Sequence, residues 1–149
     1  MDERYMREAL ALAREAAEDG EVPIGCVIVK DGEIIGRGRN TREKGKNALH
    51  HAEILAIDDA CKTLGGWRIP NSTLYVTLEP CPMCAGAIIN ARIDRVCFGA
   101  YDPKAGSVGS VTDLFALPYN HKPEVTTGVL ADECAQMLKD FFRGLREKA

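Results

Sequence analysis

The sequence predicts an α/β protein in which a mixed five-stranded sheet carries helices on both faces. Three observations predict this class. The 149 residues suit one hydrophobic core, so we treat residues 1–149 as a single domain. The composition, 46% hydrophobic and 28% charged, is typical of a folded globular chain. The elements also run as a hairpin followed by strand–helix–strand units, which is the order of an α/β sheet.

The first elements follow from apolar spacing and one turn signal. Apolar residues at helical spacing predict a helix over residues 2–18, with Asp2 as its cap. Two β-rich segments follow at 24–30 and 33–38. The dipeptide Asp31-Gly32 between them is a strong signal for a two-residue hairpin turn.

The second half of the chain alternates helices and strands. The predicted elements are a helix at 51–64, a strand at 73–78, a helix at 82–91, a strand at 95–100, a strand at 124–129 and a helix at 131–147. Gly65 ends the first of these helices, and Pro82 occupies a first helical position. Residues 101–122 read as a loop with one helical turn near Leu114. The step from Thr73 to Ala100 should join two parallel strands with a right-handed crossover.

The six cysteines raise the question of three disulfides, which other features argue against. Disulfide-dense secreted domains are usually under about 80 residues and follow a signal peptide. This N-terminus has no apolar segment, and no apolar run approaches the roughly 20 residues of a membrane span. We therefore expect a cytoplasmic protein without membrane association. The cysteines expected to be buried packing residues are Cys26, Cys61, Cys97 and Cys134.

Two short motifs offer ligands for a metal ion. One is His51-Ala52-Glu53 at the start of a helix, and the other is Cys81-Pro82-Met83-Cys84 at a strand-to-helix turn. The positive end of a helix favours the thiolate form of cysteine, which is the metal-binding form. Two thiolates and one imidazole suit zinc, and three protein ligands leave a fourth position for water. The pattern therefore favours a catalytic zinc site.

Glu53 is the candidate acid–base residue. Two residues of helix rotate the chain by roughly 200°, so His51 and Glu53 should not both ligate one ion. A carboxylate near the metal can instead move protons between water and substrate. The alternative is a closed structural site with His50 or Cys61 as a fourth ligand, and such a site does not need Glu53.

These motifs resemble the zinc-dependent cytidine/deoxycytidylate deaminase superfamily, whose pattern is His-x-Glu followed by Pro-Cys-x-x-Cys. Within it, the sequence is most similar to the bacterial tRNA-specific adenosine deaminases (TadA type), almost from end to end. The matching segments are Glu21–Gly25, Thr77–Ala87, Phe98–Ala100 with Asp102 and Lys104, Asn120-His121, and Gly128–Cys134. The resemblance implies a three-layer, cytidine-deaminase-like fold.

The resemblance also implies an activity, the hydrolytic deamination of adenosine to inosine at the anticodon wobble position of tRNA. It implies one zinc ion per subunit, held by His51, Cys81 and Cys84, with zinc-bound hydroxide attacking C6 of adenine. Glu53 would move the protons. A homodimer with its sites near the subunit interface is implied as well.

The same resemblance assigns contacts to the substrate. Asn40 would contact the flipped nucleotide, while Val22 and the backbone of Ala52 would line the base pocket. Asp102 would contact flanking nucleotides, and Phe142 would cradle the RNA. From the residues alone, Asn40 and Asp102 also suit turns, and Phe142 also suits a helix core.

The distribution of charge is more informative than its total. The net charge of -3 argues mildly against nucleic acid, but it averages an acidic first helix with a basic segment. Residues 34–48 carry five basic side chains and one acidic one. Among them, Arg39, Arg42 and Lys44 are candidate phosphate contacts, with a solvated surface as the alternative.

Two other functions fit the same motifs. A free-base or nucleoside deaminase acting on guanine or cytidine would share the metal ligands. A structural-zinc module that binds RNA without catalysis would share them too, but would not need Glu53. The basic segment and the terminal helix favour RNA as the substrate.

Overall fold

The computed structural model describes residues 1–148, and in it one sheet lies between two layers of helices. The elements are α1 (Asp2–Glu18), β1 (Gly25–Lys30), β2 (Glu33–Arg39), α2 (Ala52–Leu64), β3 (Ser72–Leu78), α3 (Pro82–Ala91), β4 (Arg95–Ala100), β5 (Glu124–Thr127) and α4 (Ala131–Lys148). A short 3-10 turn, Leu114–Ala116, lies between β4 and β5. Over the described residues, none of the helices combines the length and apolar character needed to span a bilayer.

The sheet is mixed, as the sequence predicts. Its strand order is β2-β1-β3-β4-β5. β1 pairs antiparallel with β2 and β3, whereas β3–β4 and β4–β5 are parallel. Asp31 and Gly32 have φ of 53° and 76°, which is the pair of positive values that a type I′ hairpin turn requires. The predicted hairpin and the predicted parallel step are both confirmed.

The two faces of the sheet bury separate sets of apolar side chains. In β1, Cys26 and Ile28 pack on the face covered by α2 and α3. Val27 and Val29 point the opposite way, toward α1 and α4. This alternation follows from the two-residue period of a strand. It confirms the three-layer architecture.

Helix α2 lies unusually close to β2, and two glycines make this approach possible. A Cβ atom at Gly38 would overlap the carbonyl oxygen of Ala52, and one at Gly36 would overlap that of Ala56. The helix therefore rests directly on the strand backbone. Because this contact includes the first turn of α2, it also fixes the position of His51 and Glu53.

Asp2 does not cap α1, contrary to the sequence prediction. The helix begins at Asp2 itself, with Met1 at the cap position and no side-chain cap. The Asp2 carboxylate instead accepts hydrogen bonds from Arg95 at 2.7 Å and from the Tyr75 hydroxyl at 2.7 Å. An ion pair with the distant residue Arg95 thus takes the place of the predicted capping hydrogen bond.

Strand β5 is shorter than its predicted range of 124–129. It ends at Thr127 because Gly128 and Leu130 have positive φ values of 82° and 53°. These left-handed residues turn the chain out of the sheet and into α4.

All six cysteines are free. Cys26, Cys97 and Cys134 are buried, as expected for packing residues. Cys61 is only half-buried, on the flank of α2, with its sulfur 3.7 Å from the carbonyl oxygen of Trp67. Cys61 therefore packs against the core, as expected, but is only partly buried.

Candidate metal centre

Three side chains with metal-binding atoms meet where two helices begin. His51 directly precedes α2, while Cys81 precedes α3 and Cys84 lies in its first turn. Nδ1 of His51 is 3.6 Å from each of the two sulfur atoms. Among residues 1–148 this is the one cluster of three or more such side chains whose ligand atoms lie within 4.8 Å of one another. Neither His50 nor Cys61 belongs to it.

The local backbone explains why these atoms converge. His51 and Cys81 are both extended, with ψ of 153° and 174°, and each is followed at once by a helix. Pro82, at the start of α3, favours this switch because its φ is already helical. Two positive helix ends therefore point toward the cluster, which favours thiolates there.

The donor set fits a zinc ion. In a tetrahedral site, Zn–S bonds of about 2.3 Å and Zn–N bonds of about 2.0 Å separate the two donor atoms by about 3.5 Å. The observed nitrogen–sulfur separations of 3.6 Å match this spacing. The hydrogen bond between the two sulfur atoms lowers the pKa of the Cys81 thiol to about 4 and raises that of Cys84, the donor, so Cys81 is the thiolate of the pair before a metal ion binds. Thiolate and imidazole donors are the ligands that zinc prefers, and three of them leave a coordination position open.

Glu53 lies beside this cluster without belonging to it. The residue is 4% exposed, on the first turn of α2. Burial raises the pKa of its carboxyl to about 7, while the nearby charges of Cys81 and His51 act in opposite directions. A carboxyl group that titrates near neutral pH is suited to both accepting and donating a proton.

A cavity of about 460 Å³ opens onto the cluster. That volume is within the ordinary range for small-ligand sites. Its wall includes His51, Glu53 and Cys81. It also includes six of the residues that the sequence assigns to substrate or phosphate: Val22, Asn40, Arg42, Ala52, Asp102 and Phe142.

Asn40 and Asp102 both stabilise turns, which is the alternative to a substrate contact that the sequence leaves open for each of them. The Asn40 side chain donates to the Val22 carbonyl at 3.3 Å and accepts from the Arg42 N–H at 3.1 Å. Asp102 Oδ1 accepts from the N–H groups of Lys104 and Ala105. These bonds fix each residue at the cavity wall.

Arg39 and Lys44 lie outside the cavity wall and bind a carboxylate of the protein itself. Asp19 accepts a hydrogen bond from Arg39 at 2.5 Å and pairs with Lys44 at 3.2 Å. Hydrogen bonds from these two residues lower the pKa of Asp19. Arg42 has no such ion pair among the described residues.

The same segment is also held by a buried glutamate. Glu21 is 2% exposed, and its two carboxylate oxygens accept from the N–H groups of Glu43 and Lys44. The basic segment is therefore anchored by its backbone as well as by its side chains.

Leu138 and Glu79 line the cavity without a role predicted from the sequence. Leu138 lines the cavity one helical turn before Phe142, and this i, i+4 spacing is a signal that could have identified it. Tyr101 lines the rim, with its ring 5.2 Å from that of Phe98. Glu79 borders the cavity as a buried acid. Phe141 points away, into the groove between α1 and α4.

Comparisons of the sequence with known proteins identify the chain as a deaminase. A family model for MafB19-like deaminases matches residues 1–146. A tRNA-specific adenosine deaminase of Bacillus subtilis (strain 168) is 55% identical over 148 residues, covering 99% of this chain and 92% of that protein.

Solved structures extend the comparison. A tRNA:A34 deaminase, studied for A-to-I editing at the wobble position of transfer RNA, superposes with a TM-score of 0.88 at 47% identity. The match covers 91% of this chain and 99% of that one. A guanine deaminase from Nitrosomonas europaea gives a TM-score of 0.78 at 27% identity, covering 93% and 83% of the two chains.

Proposed function

This chain belongs to the tRNA-specific adenosine deaminases, within the MafB19-like deaminases, and from that premise we propose that it hydrolyses adenosine to inosine in tRNA. The proposed site of reaction is the wobble adenosine of an anticodon loop. One observation carries the chemistry: the His51, Cys81 and Cys84 donors lie together at a cavity, with the buried Glu53 beside them.

We assign zinc to the three donors and proton transfer to Glu53. His51, Cys81 and Cys84 would hold a zinc ion, which would act as the Lewis acid that makes water a nucleophile near neutral pH. Glu53 takes one proton from the attacking water and delivers it to N1 of the purine ring. It then moves the second proton, from the new hydroxyl at C6, to the amino group, which leaves as ammonia when the C6–N bond breaks. Its burial beside the donors supports this role, because a proton shuttle must reach both water and substrate.

The cavity supports binding of a single base. Val22, Asn40 and Ala52 line the cavity, and the side chain of Asn40 is fixed by two hydrogen bonds. A base buried at this depth must leave its stack, which requires a flipped nucleotide. A single-stranded anticodon loop meets that requirement at low cost, since its bases are readily splayed out.

The rim of the cavity favours RNA over a free base. Arg42, Tyr101, Lys104 and Phe142 line it, and all four are exposed. Cations together with aromatic rings suit a single-stranded polynucleotide, because the former bind phosphate and the latter stack on bases. The guanine deaminase of similar fold represents the rival substrate class.

We also propose a homodimer formed through the side of the molecule that carries α2 and α3. Large apolar side chains are exposed there: Leu49 before α2, and Val111 and Leu117 on either side of the 3-10 turn that packs on α3. Apolar patches of this kind commonly mark protein interfaces. Sedimentation of the purified protein would give its subunit number.

The function is tested by offering substrates that separate the classes. Purified zinc-loaded protein is incubated with an anticodon stem-loop bearing adenosine at the wobble position, the same RNA with cytidine there, free adenosine, free cytidine and guanine. We expect inosine in the first RNA alone. Release of ammonia from guanine or cytidine, with no inosine in RNA, would favour the nucleobase class. No reaction with any substrate would favour a non-catalytic RNA-binding module.

A further inference from the structure

Glu79 is a buried carboxylate whose four hydrogen bonds all come from one loop. The residue is 2% exposed. Oε1 accepts from the N–H of Asp102 at 3.0 Å and from the hydroxyl of Ser110 at 2.5 Å. Oε2 accepts from the N–H groups of Val108 and Ser110, at 3.1 and 3.0 Å. We call residues 101–110 the pocket loop.

The pocket loop is built closely around this carboxylate. Gly106 faces it, and a Cβ atom at that position would overlap the carboxyl carbon of Glu79. The N–H of Ser107 donates to the carbonyl of Pro80 at 2.9 Å. The loop is therefore tied to the chain segment that leads directly into Cys81.

The topology brings the two segments together. β3 and β4 are parallel, with Leu78 beside Ala100, so both chains leave the sheet at the same edge. The N–H of Glu79 still donates to the carbonyl of Ala100 at 2.9 Å. The segment after β3 leads to Cys81 and Cys84, and the segment after β4 leads into the pocket loop.

The first half of the pocket loop lines the cavity. Its members there are Tyr101, Asp102, Pro103, Lys104 and Ala105. An ionised carboxylate offers about four acceptor positions, and the loop occupies them all. Glu79 is therefore committed to the loop and has little capacity left for a ligand.

We propose that Glu79 is a positioning residue for the RNA substrate. It holds Tyr101 and Asp102 at a fixed distance from the segment that carries Cys81 and Cys84. It thereby determines how the nucleotides beside the reacting adenosine are bound. The proposal rests on the proposed function of the site. It assigns Glu79 to substrate affinity, and not to metal retention or to the chemical step.

Substitution by glutamine tests the charge without removing volume. Glutamine has one acceptor oxygen, and its NH₂ group would face the N–H donors of the loop, so at least two of the four bonds are lost. Ser110→Ala removes the hydroxyl bond alone and gives a smaller perturbation. Asp2→Asn, which breaks the ion pair with Arg95 at the opposite end of β4, controls for a general loss of stability.

The experiment measures kcat and KM on the anticodon stem-loop, and zinc per chain, for all four proteins. We expect Glu79→Gln to raise KM by about tenfold, with kcat within about threefold, since hydrogen bonds to charged groups are worth about that factor or more. Ser110→Ala should raise KM by about threefold. Asp2→Asn should leave KM unchanged, and all proteins should hold the same zinc.

A double substitution shows whether Glu79 acts through the loop. In a Tyr101→Ala, Asp102→Ala background the effect of Glu79→Gln on KM should largely disappear, because coupled residues are not additive. A full effect in that background would overturn the proposal. So would an unchanged KM in Glu79→Gln, or a loss of zinc or kcat with KM unchanged.

Two further outcomes are decided by separate measurements. If Glu79→Gln does not fold, an unchanged KM in Ser110→Ala overturns the proposal, and a raised KM supports it. If the unsubstituted protein does not deaminate the stem-loop, the proposed function fails. Fluorescence anisotropy of the labelled stem-loop then decides the role of Glu79, since equal Kd values for the native and Glu79→Gln proteins would exclude it.

Discussion

The guanidinium of Arg39 donates a 2.5 Å hydrogen bond to the carboxylate of Asp19, so this basic residue is already paired within the protein. Lys44 shares the same carboxylate. Of the three basic residues considered for phosphate contact, Arg42 alone lines the cavity. The structure therefore makes Arg42 the strongest of the three candidates for a phosphate contact, although all three carry the same charge.

This ranking predicts unequal effects on RNA binding. Arg42→Ala should weaken binding of the anticodon stem-loop and flatten the slope of log Kd against log salt by about 0.7 to 0.9, the value of one phosphate contact. Arg39→Ala should change the slope much less, because Asp19 already neutralises that side chain. Fluorescence anisotropy across a salt series measures both. Equal slopes for the two variants would contradict the ranking.

Glu53→Gln should abolish deamination while leaving the metal in place. Glutamine keeps the shape of the side chain but cannot move a proton, so we expect kcat to fall by roughly 10² to 10⁴. Inosine formation and zinc content are measured on the same preparation. Glu8→Gln, at an exposed glutamate on α1, is the matched control and should match the unsubstituted protein. Near-normal turnover in Glu53→Gln would refute the assigned role.

Cys81→Ser and Cys84→Ser should each lose the metal and lower stability. Two helices meet at the three donors, and an ion that binds only the folded state adds about 4 kcal/mol when its free concentration is about 1,000 times Kd. Zinc content and the Tm with and without a chelator measure this. Cys61→Ser, at the half-buried cysteine outside the cluster, should keep both its zinc content and its Tm. Full zinc occupancy in the two ligand variants would rule out the donor set.

The ion pair of Asp2 with Arg95 predicts a pH-dependent contribution to stability. The hydrogen bond from Arg95 lowers the pKa of Asp2 below its ordinary value of 3.8. A lowered folded-state pKa means that the contribution is complete above the unfolded-state pKa and is lost as the pH falls through the folded-state value. The free energies of unfolding of the native protein and Asp2→Asn should therefore differ steadily at pH 6–8 and converge below about pH 4.

The size of this effect is limited by solvent. The Asp2 side chain is 34% exposed, so screening should hold the difference to about 1 kcal/mol or less. Urea unfolding at several pH values measures it. A difference that grows on acidification would contradict the assigned ion pair.

Local signals in the sequence were sufficient for most of the fold. Asp31-Gly32 specifies its hairpin because both residues tolerate positive φ, and Pro82 starts α3 because its φ is already helical. The spacing of Cys81 and Cys84 required only one turn of helix. These features depend on neighbours in the chain, which the sequence shows directly.

The features that escaped prediction depend on residues far apart in the chain. Asp2 leaves the helix cap for Arg95, 93 residues away, and Glu79 collects its partners from 23 to 31 residues onward. No periodicity marks such pairs, because they form only when the folded sheet and its helices bring distant segments together. Glu53 was predictable in part. Its position on the helix, two residues after His51, excluded it from the ligand set, but only the folded structure shows that it is buried.

The shared edge of β3 and β4 makes the two halves of the pocket separable. The segment after β3 carries Cys81 and Cys84, whereas the segment after β4 carries a wall that is bonded to it through the Glu79 carboxylate and the Pro80 carbonyl. Pro103, Lys104 and Ala105 donate no hydrogen bond to Glu79, so we expect exchange of their side chains to leave Cys81 and Cys84 in place. The requirement is that Asp102, Val108 and Ser110 still donate their N–H groups to Glu79 and that Gly106 is kept. We therefore expect that substitutions at residues 103–105 can change the substrate range without changing the chemical step.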